Sequence, residues 1–242
     1  MPQVDLSHVE FWIFDLDNTL YPAQCRLFDQ VDRRIGLYIE QLLNLDREAA
    51  RALQKQYFRD HTTTLRGLML NHGIDPGHFL DFVHRIDVTG VALDAALDRA
   101  LDSLPGRKLI YTNGSVAHAR NVMEQLGINR HFNDIFDIAA ADYDPKPSTA
   151  SFARLIAAHG IDPKRAAMFD DMPRNLKPAA ELGMTTILVS SHHDWAQPTG
   201  DEDYIHYATD KLADWLAAIA TAASKTGNTT MGNTTGNQKT GS

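Results

Sequence analysis

A short apolar segment that ends in two carboxylates restricts the fold of this chain more than any other feature. Residues 9–14 are rich in aromatic and β-branched side chains and contain one charge, Glu10. Such a run is typical of a buried strand in an α/β sheet. Asp15 and Asp17 follow, and residues two apart in an extended chain point to the same side. Because ligands of open α/β sheets bind beyond the carboxyl ends of the strands, we expect both carboxylates to face one site; a polar Asx turn is the alternative.

Beyond residue 90, segments with strand and helix patterns alternate along the chain. Strands are predicted at 108–112, 135–140, 166–169, 185–189 and 204–208, and helices at 93–103, 115–126, 148–159, 173–182 and 211–223. Such alternation indicates parallel βαβ units with right-handed crossovers. We therefore predict an α/β fold, with a Rossmann-like parallel sheet core and helices on both faces.

Residues 22–89 interrupt this pattern, because they have helical periodicity and no convincing strand. Apolar residues recur at helical spacing from Phe28 onward, and Asp46 and Asp75 stand where helices would begin. The predicted domains are a Rossmann-like core of residues 1–21 and 90–223, an all-helical insertion of residues 22–89, and a tail of residues 224–242. We expect the Gly-, Asn- and Thr-rich tail to be disordered, because it has too little apolar surface to offset the entropy of ordering.

The composition argues against several classes of protein. The net charge is -8, from 23 basic and 31 acidic residues, and leaves no basic footprint for a nucleic acid polymer. No run approaches the roughly 18 apolar residues of a membrane span, and residues 1–10 lack the basic region of a secretory signal. The single cysteine, Cys25, excludes an internal disulfide and fits a reducing compartment. We predict a cytoplasmic protein, and the sequence leaves open whether it is a monomer or a homodimer.

Polar residues follow four of the predicted strands, at the point where each strand ends. In chain order they are Asp15 and Asp17, then Thr112, Asn113 and Gly114, then Lys146, and finally Asp170 and Asp171 with Asn175 close behind. The carboxyl ends of parallel strands meet at one edge of a sheet, so we expect these groups to converge there.

This order resembles the motifs of the haloacid-dehalogenase-like hydrolase superfamily, most closely its phosphatases. The resemblance covers residues 11 to about 189, and residues 22–89 lie where that superfamily places its C1-type helical cap. Segments 20–22, 64–68 and 169–176 look like the pyrimidine 5'-nucleotidase branch. The resemblance implies a Mg²⁺-dependent phosphomonoester hydrolase for a small phosphorylated metabolite, with pyrimidine nucleoside 5'-monophosphates such as UMP and CMP as the leading candidates.

The resemblance also implies roles for the polar residues, and their chemistry agrees with those roles. Asp15 is the expected nucleophile, and Lys146 adds a point charge that can bridge the nucleophile and the phosphoryl group. Asp17 is the expected general acid and base, which protonates the leaving alkoxide and then activates water. Because it must first donate a proton, we expect the pKa of Asp17 to be raised in the substrate complex.

The predicted metal site follows from the preference of Mg²⁺ for oxygen ligands and retained waters. Asp15 and Asp171 are the expected direct ligands, with the backbone carbonyl of Asp17 as a third. Asp170 is expected to act through water or by holding its neighbours. Asn175 is expected to support the site from behind, although it would equally serve to cap the loop.

Substrate contacts are expected on both sides of the site. The Thr112 hydroxyl, the backbone N–H groups of Asn113 and Gly114, and Lys146 can hold phosphoryl oxygens near the start of a helix. In the predicted cap, Arg66 is the candidate for substrate contact, and a solvated surface position is the alternative.

Several other functions stay open at this point. By resemblance, dehalogenases and phosphonatases lack an acid at the position of Asp17, and phosphonatases use a cap lysine, whereas Lys55 is the only lysine in residues 22–89. A phosphatase or mutase for phosphoglycolate or a sugar phosphate is the rival enzyme. A non-catalytic regulator that binds a phosphorylated ligand is the rival of another class.

Overall fold

Six parallel strands form the centre of the protein. The structure, a computed structural model, describes residues 4–190 and 202–229, with side chains described as far as residue 220. The strand order is β3-β2-β1-β4-β5-β6, so the direction of the order reverses between β1 and β4. The strands are β1 (Phe11–Phe14), β2 (Arg107–Tyr111), β3 (Asp134–Phe136), β4 (Ala166–Asp170), β5 (Thr185–Val189) and β6 (Tyr207–Thr209).

Alternate residues of the strands face two apolar clusters, one on each side of the sheet. Phe14 and Phe169 belong to the cluster beneath α5, α6 and α9, whereas Ile13 and Met168 belong to the cluster beneath α7 and α8. These helices are α5 (Ala95–Ser103), α6 (Val116–Leu126), α7 (Thr149–His159), α8 (Pro173–Glu181) and α9 (Leu212–Thr229). The predicted α/β fold, a Rossmann-like parallel sheet with helices on both faces, is confirmed.

Four further helices lie between β1 and α5 and share a third apolar cluster. They are α1 (Leu27–Leu43), α2 (Arg47–His61), α3 (Thr64–His72) and α4 (Pro76–Val83). The cluster includes Tyr57, Leu68 and Phe79 from these helices. It also contains Ile138, which comes from the turn after β3 and is only 1% exposed. The helical insertion is therefore in apolar contact with the part of the chain that carries the sheet.

The helix boundaries of the insertion follow from local sequence signals. The carboxylates of Asp46 and Asp75 accept hydrogen bonds from backbone N–H groups in the first turns of α2 and α4. These bonds satisfy donors that have no partner within the helix. A Cβ on Gly67 would lie 2.5 Å from the ring of Tyr57, so α2 and α3 approach this closely because residue 67 is glycine.

The largest differences from the predicted boundaries are at β3 and α9. The strand predicted at 135–140 ends at Phe136, because the Asp137 carboxylate accepts the N–H of Ala140 and closes a turn. Helix α9 continues to Thr229 rather than ending near residue 223, so residues 224–229 of the tail that was expected to be disordered are helical. Residues 230–242 of the predicted disordered tail lie outside the described residues, and the division into domains stays a prediction. Among the helices of residues 4–190 and 202–229, none combines the length and apolar character that a bilayer crossing requires.

Candidate active site

The carboxyl ends of β1, β2 and β4 lie side by side, next to the point where the strand order reverses. Asp15 directly follows β1, Thr112 follows β2, and Asp170 is the last residue of β4, with Asp171 behind it. The sheet pairing continues past β1, because Asp15 N donates to Phe169 O at 2.8 Å. Parallel pairing therefore brings predicted site residues from three strands to one edge of the sheet.

Lys146 joins these strand ends. Its Nζ donates to Asp15 Oδ1 and Asp170 Oδ2, both at 2.7 Å, and to Tyr111 O at 2.9 Å, which uses all three N–H groups. Burial alone would lower the pKa of Lys146, but the charges of the two carboxylates raise it above its ordinary value. The loop is held by the Asn113 side chain, whose Oδ1 accepts from Lys146 N at 2.8 Å. The prediction had assigned a role only to the backbone N–H of Asn113.

Three buried carboxylates meet beside the lysine. Asp15, Asp170 and Asp171 each offer one oxygen, and these atoms all lie within 4.8 Å of one another. Burial and the charges of the neighbouring carboxylates raise the pKa of Asp171 well above its ordinary value. Burial also raises the pKa of Asp15 to about 7, although the charge of Lys146 opposes this shift. The buried Oδ2 of Asp171 accepts no hydrogen bond from the described residues. Three acids with one lysine and an unpaired buried oxygen fit a divalent cation bound through oxygen.

Asp170 is held by protein donors on both of its oxygens. Oδ2 accepts from Lys146, while Oδ1 accepts from Met172 N and from Asn175 Nδ2, each at 2.9 Å. The structure thus places Asn175 behind Asp170, where its amide orients that carboxylate. In this arrangement Asp170 links Lys146 to the start of α8.

The Asp17 side chain lies outside the three-carboxylate group and has its own partners. Its Oδ1 accepts from Tyr21 OH at 2.6 Å and from His118 Nε2 at 2.8 Å. Burial would raise the pKa of Asp17, but the charge of His118 and the two hydrogen bonds outweigh it and lower the pKa to about 2. This direction is opposite to the one expected for the substrate complex. The sequence offered no signal for His118, because it stands 101 residues from Asp17.

A second histidine comes from the insertion and lies against the first. His84 directly follows α4, and its ring stacks on that of His118 with 4.4 Å between centroids and 10° between planes. Its Nδ1 lies 2.9 Å from Ser115 Oγ, the atom that caps α6. Burial and the charge of His118 lower the pKa of His84 to about 3, so its ring is neutral. Neither histidine was a predicted site residue.

The predicted phosphate-binding loop is closed on itself in this structure. Thr112 is 1% exposed, and its Oγ1 accepts the N–H of Gly114 at 2.9 Å. That N–H is therefore paired with the threonine rather than turned to solvent. Helix α6 begins two residues later, at Val116, so the loop still lies at a helix N-terminus, where anions are favoured.

Arg66 lies at the boundary between the insertion and the sheet domain. Its Nη1 donates to Tyr143 O at 3.3 Å, and it lines a cavity of about 330 Å³ together with the loop around Lys146. No contact within the described residues joins Arg66 to the carboxylate group. A second arginine, Arg174, bridges the same boundary by stacking its guanidinium on the ring of Phe58 at 4.7 Å.

Comparison with known proteins agrees with this geometry. The sequence model of the family described as haloacid dehalogenase-like hydrolase matches residues 12–183, most of the chain. This chain belongs to that family. The match begins in β1 and ends after α8, so it includes every strand end that contributes to the site.

A curated relative of this hydrolase is known in yeast. The chain is 26% identical over 210 residues to "Phosphate metabolism protein 8" of Saccharomyces cerevisiae. The alignment covers 78% of this chain, and the chain spans 63% of the length of the yeast protein.

Solved structures of the same family have the same fold at low identity. The L-2-haloacid dehalogenase of Xanthobacter autotrophicus aligns with a TM-score of 0.55 at 16% identity, covering 87% of this hydrolase and 98% of that enzyme. A HAD phosphatase of Thermococcus onnurineus aligns at 0.58 and 15%, covering 86% and 96%. The putative HAD-hydrolase YfnB of Bacillus subtilis, bound to magnesium, aligns at 0.57 and 14%, covering 87% and 98%. These likenesses concern the fold alone.

Proposed function

We propose that this hydrolase cleaves phosphate monoesters through a phospho-aspartate on Asp15. The observation that carries the proposal is the contact of Asp15 with Lys146, 131 residues further along the chain, inside a group of three buried carboxylates. A carboxylate that attacks a phosphate ester meets a substrate of like charge. Lys146 offsets part of that repulsion from the side of the nucleophile.

The chain offers oxygen ligands for a divalent cation, and we propose Mg²⁺. Asp15, Asp171 and the backbone carbonyl of Asp17 would hold it, and the buried, unpaired Oδ2 of Asp171 supports this choice. When bound, the cation supplies positive charge that polarises the phosphoryl group. Asp170 would act by orienting Lys146, because that ammonium group contacts one of its two oxygens.

The two aspartates after β1 have different roles in the proposed reaction. A carboxylate oxygen of Asp15 forms a bond to phosphorus as the ester P–O bond breaks, and the leaving oxygen takes a proton from Asp17. A water molecule then attacks the phosphorus of the aspartyl phosphate and gives a proton to Asp17, while the bond between phosphorus and the Asp15 oxygen breaks. This step releases inorganic phosphate and restores the Asp15 carboxylate. Asp17 must be protonated for the first step. The negative charge of an arriving phosphate raises its pKa from the low value of the free protein.

We further propose a small phosphorylated metabolite as substrate, with pyrimidine nucleoside 5'-monophosphates as the leading class. The motifs at 20–22, 64–68 and 169–176 support this class, as does the similarity to the yeast protein named for phosphate metabolism. Residues 22–89 would act as a cap over the core of residues 1–21 and 90–223, and Arg66 would contact the nucleoside part from the cavity it lines. The single cysteine supports a cytoplasmic location.

A phosphate-release assay tests this function. The purified chain is offered UMP, CMP, AMP, phosphoglycolate, glucose phosphates and p-nitrophenyl phosphate, each with Mg²⁺ and with EDTA. We expect release that requires Mg²⁺ and is fastest with UMP or CMP, and no release by Asp15→Asn. Folded protein that releases phosphate from none of these esters would instead be a binding protein. Faster release from phosphoglycolate or a sugar phosphate would keep the chemistry and replace the substrate.

A further inference from the structure

Two buried donors converge on a single oxygen of Asp17. Tyr21 OH and His118 Nε2 both bond to Oδ1, and each of these two side chains is only 1% exposed. The Asp17 side chain is 17% exposed, and its Oδ2 accepts no hydrogen bond from the described residues. Because Oδ1 is committed to two donors, Oδ2 is the oxygen left to exchange a proton with a substrate.

The imidazole of His118 makes no other polar contact in the described part of the chain. Its Nδ1 is buried and has no hydrogen-bond partner there, so the ring is held by packing and by Asp17. Leaving a buried ring nitrogen unpaired costs free energy, which the fold tolerates at this position. Within the described residues, the one polar interaction of the His118 imidazole is therefore its contact with Asp17.

His84 supplies the packing that holds this ring in place. Its imidazole lies parallel to that of His118, and its own Nδ1 is tied to Ser115 at the start of α6. His84 also directly follows the last residue of α4, so the insertion reaches the partner of Asp17 directly. Three segments that are distant in sequence thus meet around one carboxylate: the loop after β1, the first turn of α6 and the end of α4.

We propose that Tyr21 and His118 are positioning residues that turn Oδ2 of Asp17 toward the leaving oxygen of the substrate, and that His84 fixes the ring of His118 from the end of α4. This inference rests on the proposed function, because it assigns the two residues to the proton transfer by Asp17. It predicts that they affect kcat/KM, which reports the formation of the phosphoenzyme, only where the leaving oxygen needs a proton.

The dependence of the rate on the leaving group tests this role. Nitrophenolate is a stable anion and leaves without a proton, whereas the alkoxide of a nucleoside does not. We expect Tyr21→Phe and His118→Leu each to lower kcat/KM for UMP by about 10- to 100-fold, part of the full worth of an acid catalyst. The same variants should change kcat/KM for p-nitrophenyl phosphate less than about threefold, because that step does not use the acid. His118→Gln keeps an N–H donor and should restore part of the rate with UMP.

Matched controls separate this role from simple support of the fold. His131 Nε2 lies 2.8 Å from Asp98 Oδ1 and is similarly buried, but its partner is on α5 and outside the site. Tyr57 is also buried, and its OH lies 2.8 Å from Nε2 of His72, which is exposed. His131→Leu and Tyr57→Phe should leave the ratio of the two kcat/KM values unchanged, whatever they do to the unfolding temperature.

Two outcomes would overturn the inference, and they are distinct. Equal losses with both esters in Tyr21→Phe and His118→Leu, with no recovery in His118→Gln, would mean that these residues only support the fold, while the proposed function stands. A wild-type protein that hydrolyses neither ester would remove the proposed function and this inference together. Tyr21→Phe is close to isosteric, and circular dichroism would verify that it folds.

Discussion

Asp15 and Asp17 are separated by one residue, yet the two sides of the site that they occupy differ in almost every physical respect. On the Asp15 side, three buried carboxylates share one lysine, and burial raises the pKa of Asp15 to about 7. On the Asp17 side, one carboxylate accepts hydrogen bonds from a histidine and a tyrosine, and its pKa is lowered to about 2. Under the proposed mechanism, the neighbours of each carboxylate rather than its residue type would decide which acid is the nucleophile and which exchanges protons.

The difference in charge balance explains where a cation belongs. Around Asp15 the acids outnumber the bases, so a second positive charge would relieve repulsion there. Around Asp17 a single carboxylate already accepts hydrogen bonds from His118 and Tyr21. A divalent cation should therefore bind on the Asp15 side and leave the Asp17 side chain to its protein partners.

The largest expected effect comes from substituting Asp15, the proposed nucleophile. Asp15→Asn keeps the shape of the side chain but removes the attacking oxygen, so phosphate release should fall by about 10⁴-fold or more. Release is measured by a colorimetric phosphate assay under saturating UMP and Mg²⁺, with circular dichroism as the control for folding. Turnover at the wild-type rate would show that Asp15 is not the nucleophile.

Removing the acid on the other side should have a smaller and different effect. Asp17→Asn retains the nucleophile but cannot donate or accept the proton, so UMP turnover should fall by about 10²–10⁴-fold. Phosphoenzyme should accumulate with p-nitrophenyl phosphate, seen as a burst of nitrophenolate that is followed by slow turnover. If Asp17→Asn and Asp15→Asn lose turnover equally with both esters and no burst of nitrophenolate occurs, the proposed division of roles between the two aspartates is wrong.

Substitution of Lys146 tests how far the activity and stability of the Asp15 side depend on the Lys146 ammonium group. Lys146→Met leaves two buried carboxylates without their ammonium partner, and activity should fall by about 10²–10³-fold. The free energy of unfolding in urea at neutral pH should fall by about 3 kcal/mol.

Lys108→Met is the matched control for this change, since Lys108 is also buried but its Nζ donates to the carbonyl of Leu104. It should leave the activity near that of the wild type. An equal loss of activity in both variants would contradict a specific role for Lys146.

The smallest expected effect concerns the pH dependence of stabilisation by Mg²⁺. The pKa of Asp15 and that of Asp171 are raised in the folded protein, so without metal their contribution to stability is present below the unfolded pKa and is lost as pH rises toward about 7. Mg²⁺ competes with those protons, so its stabilisation should be larger at pH 8 than at pH 5, by about 1–3 kcal/mol.

Thermal unfolding with EDTA and with Mg²⁺ at the two pH values measures this difference. Asp171→Asn should remove most of it, whereas a surface variant such as Asp142→Asn should not, because the Asp142 side chain is 79% exposed. A metal effect that is independent of pH would mean that the three carboxylates are not the ligands.

Much of the Asp15 side was predictable from sequence, because it is built at strand ends. Buried parallel strands are short apolar runs, and a polar residue directly after such a run lies at the edge of the sheet. Asp15 and Asp171 could be named on this basis, whereas Lys146, ten residues beyond the end of β3, was named from the family resemblance. The structure brings all three together. The fold class followed from the same alternation of strands and helices.

The Asp17 side was not predictable, because its partners come from helix ends whose approach depends on tertiary packing. Neither His118 nor His84 follows a strand, and nothing in the spacing of the sequence pairs them with each other or with Asp17. The low pKa of Asp17 in the protein without substrate was not predictable for the same reason. Tyr21 was noted as part of a motif, but its bond to Asp17 required coordinates.

The turn after β3 places Ile138 inside the apolar cluster of the helical insertion, where it is 1% exposed. Swinging the insertion away from the sheet would draw this side chain into water, at a cost of about 1.5–3 kcal/mol for a fully exposed isoleucine. Burial of the Ile138 side chain would thus oppose separation of the insertion from the sheet. Ile138→Ala would lower the free-energy cost of this separation without changing any residue to which a role in phosphate hydrolysis is assigned.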